Sequence, residues 1–153
     1  MNKKNIFIIG LDDFNRIKLE SITKAEQYAF QGLIDPTELF ETYDFPVQDM
    51  LQRAEQQLKD WQKMEKSIDG LTGYLDFPVS TMLPLLCSKF GLRSPSLESL
   101  LKCEHKYWSR LEQKQAIPEH IPAFYPFDPF DDQKKKKIPL QLPFWIKPIK
   151  STG

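Results

Sequence analysis

Asn5-Ile6-Phe7-Ile8-Ile9-Gly10 decides the fold, because four consecutive apolar residues run straight into a glycine. A strand with one face in water alternates apolar and polar side chains. An unbroken apolar run of this length predicts a strand covered on both faces, as in a parallel sheet flanked by helices. Downstream, Asp12 or Asp13 can cap a helix on which Phe14, Ile17, Leu19 and Ile22 recur at mostly helical spacing and could pack on the sheet. Tyr28-Ala29-Phe30-Gln31-Gly32-Leu33-Ile34 reads as a second strand. Pro46 opens a helix over residues 46–63, where Val47, Leu51, Ala54, Leu58 and Trp61 stand three or four apart. A short strand near Ile68 is expected to end in the turn-rich Asp69-Gly70-Leu71-Thr72-Gly73-Tyr74, and residues 79–90 return to helix.

Strands alternating with helices predict an α/β fold with a Rossmann-like open, mostly parallel sheet flanked by helices. Ligands of such sheets sit beyond the carboxyl ends of the strands. Residues 10–13 and 70–76 fall at that edge, which makes Gly10, Asp12 and Asp76 candidate substrate contacts. Each has a structural reading beside the functional one. Gly10 is the better fit to a turn glycine, Asp12 is one of the two helix caps, and Asp76, just before a proline and a helix, fits capping better than catalysis. Gly10 is not followed by the further glycines of a dinucleotide-binding fingerprint, so that class is set aside.

At 153 residues the chain is long enough for one sizeable domain plus the beginning of another, divided here as residues 1–95 and 96–153. Twenty-one basic residues balance 21 acidic ones, which gives no electrostatic footprint for nucleic acid or an anionic membrane. The longest apolar run falls far short of the roughly 20 residues that span a bilayer, and no signal peptide precedes it, so a cytoplasmic protein is expected. Cys87 and Cys103 lie in apolar helical contexts without metal-ligand spacing and read as reduced core thiols. His105 and His120 have no obvious serine or cysteine partner, which leaves a hydrolase triad without support. Seven of the twelve prolines lie between Pro118 and Pro148, which argues against long helices there and for short strands joined by turns. Asp128 to Asp132 followed by Lys134-Lys135-Lys136-Lys137 reads as a solvated loop or hairpin tip.

Four further pieces of sequence carry a functional signal. Gly91-Leu92-Arg93-Ser94-Pro95 leads through a helical segment to His105-Lys106; Ile117-Pro118 follows; Pro143-Phe144-Trp145-Ile146-Lys147-Pro148 comes next, before Ser151-Thr152-Gly153. Small residues after a lysine-bearing strand suit a phosphate-covering loop, because they let backbone N–H groups approach phosphate oxygens while the lysine supplies charge. In order and type these pieces resemble the ATP-grasp superfamily, biotin carboxylase and its relatives in particular. There a Gly-Leu-Pro helix leads to an Asp-Lys pair opening the next helix, then a Val/Ile-Pro turn and a Phe-x-Ile-Lys-Pro strand. The resemblance is most specific over residues 68–122 and 143–153. It departs at His105, where the family usually has aspartate, and little of the glycine-rich loop is represented.

What the resemblance implies is a pre-ATP-grasp domain followed by the start of an ATP-grasp domain, with Lys106 and Lys147 contacting the nucleotide and Ser151, Thr152 and Gly153 opening the mobile loop. The implied cofactors are ATP and Mg²⁺, the magnesium ligands lying outside these residues, and the implied substrate is a carboxylate or bicarbonate activated as an acyl or carboxy phosphate. Family relatives are often dimers through the first domain, so a homodimer is an expectation of the resemblance. The chain by itself is expected to be inactive, and no catalytic residue is assigned. Lys147 could otherwise be a solvated strand lysine and Lys106 a surface helix lysine. A helix break near Cys103 and Glu104 is expected, since one continuous helix would put Glu104 on an apolar stripe with Leu97, Leu101, Trp108 and Leu111. An amino-acid or peptide ligase of the same superfamily, and a non-enzymatic α/β interaction module, remain open beside the carboxylase-like reading.

Overall fold

The structure, a computed structural model, describes residues 3–40, 46–131 and 138–150, with Phe40 described by its backbone alone. The chain forms two compact units, Met1–Leu97 and Glu98–Gly153. The Lys134 to Lys137 block lies outside the described residues.

The first unit is an α/β layer. Its strands are β1 (Lys4–Ile9), β2 (Tyr28–Leu33) and β3 (Gly70–Gly73), and its helices are α1 (Asp13–Glu20), α2 (Pro36–Phe40), α3 (Val47–Lys63) and α4 (Val79–Lys89). The three strands are parallel in the order β2-β1-β3, with Ile6 opposite both Phe30 and Gly70. The unbroken apolar run thus becomes the central strand, and Phe7, Ile8 and Ile9 are all buried. Because side chains alternate along a strand, Phe7 and Ile9 share one face with Leu33 and Leu71. That face packs against Met50, Ala54 and Leu58 of α3 and Val79, Met82 and Leu86 of α4 in a single core.

Three expectations are corrected here. Phe14 and Ile17 of α1 do not pack on the sheet but stand 65% and 67% exposed. The sheet side of α1 carries Arg16 instead, whose guanidinium donates to the Phe30 carbonyl (3.1 Å) and lies over Gly32. The third strand is not at Ile68 but inside the stretch expected to turn. Gly70 and Gly73 are there for close packing, since a Cβ on Gly73 would sit 2.4 Å from Val79 Cγ1 and one on Gly70 3.0 Å from Ile6 Cδ1. Of the two cysteines only Cys87 is a core thiol, its pKa pushed up by burial; Cys103 is exposed.

The second unit holds α5 (Leu97–Glu104), α6 (Lys106–Ala116) and a 3₁₀ turn at Pro118–His120. The expected break falls between α5 and α6, at His105. Among the described residues beyond Ala116 there is no strand, contrary to the expectation of short strands there and of one bearing Lys147. Pro139, Pro143 and Pro148 have no N–H to give to a ladder, which disfavours strand pairing in this stretch. No described helix is long and apolar enough to cross a membrane.

Candidate functional site

At the carboxyl edge of the sheet, β1 ends on Gly10 in the left-handed region (φ 71°), the conformation glycine adopts most cheaply. The turn is closely packed as well, for a Cβ at Gly10 would lie 2.5 Å from Leu39 Cδ1. The Gly10 N–H donates to the Leu33 carbonyl (2.9 Å), tying the ends of β1 and β2 together. β2 in turn runs into Ile34 at φ 61°, where a β-branched residue is strained.

Asp12 caps α1. Its Oδ1 accepts the Asn15 N–H (2.7 Å) and its Oδ2 accepts from Asn15 Nδ2 (2.9 Å). The Tyr74 hydroxyl, arriving from just past β3, stands 2.8 Å from Asp12 Oδ2, also bonds the Gly10 carbonyl, and accepts the Asp12 N–H (3.3 Å). With one proton to give, it serves one acceptor at a time. The Asn15 N–H first, then the Tyr74 hydroxyl, hold the Asp12 carboxyl below its ordinary range, while partial burial raises the Tyr74 phenol. The structure therefore brings Gly10 and Asp12 together in a clasp that fixes the β1–α1 turn against the end of β3. Asp76 is exposed, and its carbonyl accepts the Ser80 N–H (3.3 Å). The expected side-chain cap is not made there: the N-cap of α4 is Pro78, without a side-chain cap bond, because the helix starts two residues later than an Asp76 cap requires.

In the second unit Lys106 and Lys147 belong to segments that meet. Lys106 is the first residue of α6, half-buried, and its N–H donates to the Ile149 carbonyl at 3.1 Å. The first N–H groups of a helix have no partner within it, so a carbonyl from a distant segment answers a demand that the helix start creates. Lys147 is exposed, two residues before that carbonyl, with Phe144 half-buried and Trp145 91% exposed. Ser151, Thr152 and Gly153 lie outside the described residues. Tyr107 packs edge-on to Phe124 (5.7 Å between centroids).

Three contributors were not read from the sequence: Tyr74, Asn15 and His105. Asn15 carried a signal in the Asp-x-x-Asn spacing of a capped helix start. The other two depend on contacts of the folded chain. Among the described residues no group of three His, Cys, Asp or Glu side chains is placed to hold a metal ion. No family model, curated protein or solved structure matches the chain.

Proposed function

We propose that this chain is the N-terminal part of an ATP-dependent ligase of the ATP-grasp type, similar to biotin carboxylase and cytoplasmic. Its Rossmann-like first unit would precede the start of the nucleotide-binding domain. The observation that carries this reading is the Lys106 N–H to Ile149 carbonyl bond, which joins the two segments whose lysines the resemblance assigns to the nucleotide. A parallel three-stranded α/β unit ahead of them is compatible with the same plan.

In this reading Lys106 and Lys147 hold the triphosphate of ATP and neutralise its charge. The start of α6 favours the same anion, since helix N-termini present partial positive charge. Magnesium would supply further charge neutralisation through acids that these residues do not include. A substrate carboxylate or bicarbonate oxygen then attacks the γ-phosphorus and ADP leaves, giving the acyl or carboxy phosphate that a nucleophile consumes with release of phosphate.

The test is calorimetric titration with Mg-ATP of the gene product, including whatever its reading frame encodes past Gly153. Removing one charged contact should cost about tenfold to a hundredfold in affinity. Lys106→Ala and Lys147→Ala are each expected to lose that much without a change in melting temperature in the absence of nucleotide. Equal ATP affinity in wild type and both variants would remove the two lysines from the site.

A further inference from the structure

We infer that His105 is a positioning residue for Lys106. This rests on the nucleotide reading above and adds a residue to it. His105 is the hinge between two helices: its N–H donates to the Leu101 carbonyl (3.0 Å) to finish α5, and its carbonyl accepts the Ser109 N–H (2.9 Å) to begin α6. Its side chain caps the new helix, with Nδ1 accepting the Trp108 N–H at 3.2 Å. Stacking on the Trp108 ring, centroids 4.8 Å apart at 30°, holds the imidazole in that orientation.

The start of α6 is therefore secured at two of its open donors, Trp108 by His105 and Lys106 by Ile149. Helical side chains leave the backbone tilted toward the N-terminus, so the Lys106 side chain sets out toward the end where these two bonds are made. Loss of the cap frees the first turn of α6, and Lys106 is in that turn. The register between Lys106 and the segment bearing Lys147 would be lost with it.

The experiment compares wild type, His105→Ala, His105→Asn and Lys106→Ala in the whole gene product. Amide hydrogen exchange at Trp108 and Lys106 reads the cap, and calorimetric titration with Mg-ATP reads its consequence. His105→Ala should lose protection at both amides and weaken ATP about fivefold, the affinity equivalent of a lost cap. His105→Asn, whose short side chain is a favoured cap, should restore both. An alanine variant that binds ATP as wild type does, or an asparagine variant that fails to rescue, overturns the inference while Lys106→Ala still weakens ATP. If wild type and Lys106→Ala alike show no ATP binding, the nucleotide reading itself fails and the role of His105 in it falls too.

Discussion

The two units of this chain are built on different principles. Every fully buried apolar side chain among the described residues, from Phe7 to Cys87, belongs to the Met1–Leu97 unit. In the Glu98–Gly153 unit Phe130, Leu142 and Trp145 stand 93%, 82% and 91% exposed, and its contacts include helix caps, the Tyr107–Phe124 ring pair, ion pairs at Lys102 and a backbone bond to Ile149. A buried core is what overcomes the conformational entropy lost on folding. The first unit has one, and the lysines of the proposed nucleotide site lie in the unit whose described residues include no buried apolar side chain.

Substitutions should separate the units sharply. Leu58→Ala, at a fully buried position on α3, is expected to destabilise by about 2–5 kcal/mol, whereas Trp145→Ala should change stability by no more than about 0.5 kcal/mol. Urea melts followed by circular dichroism check both; a Trp145→Ala loss as large as that of Leu58→Ala would end the contrast. Gly73→Ala comes next, at about 1–3 kcal/mol, because the new Cβ meets Val79. A double-mutant cycle with Val79→Ala should return part of that loss, since the pair shares one clash.

How far the sequence carried depended on what each residue responds to. The central strand, the Asp12 cap, the turn at Gly10 and α3 were legible because local pattern and final packing agree there. The third strand was misplaced because Gly70 and Gly73 answer to Ile6 and Val79, neighbours that only the fold supplies. The apolar residues of α1 misled for a related reason: Arg16, not Phe14 or Ile17, lies against β2, and Phe14 instead carries the Lys18 ammonium over its ring at 4.2 Å. In the candidate site Lys106 and Lys147 were named by pattern alone. The backbone bond from Lys106 to Ile149, and the capping role of His105, come from contacts between residues far apart in sequence or from ring orientation, which no spacing encodes.

Smaller effects sharpen the picture of the sheet edge. Tyr74→Phe removes the hydroxyl that joins Gly10, Asp12 and the end of β3, for an expected loss of about 1 kcal/mol in a thermal or urea melt. Asp12→Ala should cost about as much through the lost cap, and the double variant less than the sum, because the two share a bond. Smallest and most gradual is the pH response of the link between α3 and α4. Lys59 and Lys89 together lower the Glu55 carboxyl from 4.5 to about 2. A depressed carboxyl stabilises the fold above its unfolded pKa, and the contribution is lost as pH falls through the folded value. Stability should therefore decline between about pH 4.5 and pH 2, and Glu55→Gln should make that decline shallower. An unchanged slope in Glu55→Gln would assign the acid response to other carboxylates.

The central claim, that Lys106 and Lys147 serve one nucleotide, is tested most directly by Mg-ATP titration of the gene product and its Lys106→Ala, Lys147→Ala and double variants. The account predicts saturable binding, about tenfold or more weaker in each single variant, and a double variant that loses less than the product of the two effects because both lysines grip one triphosphate. A folded wild type that binds no ATP would contradict it and leave an α/β interaction module as the better description of the chain.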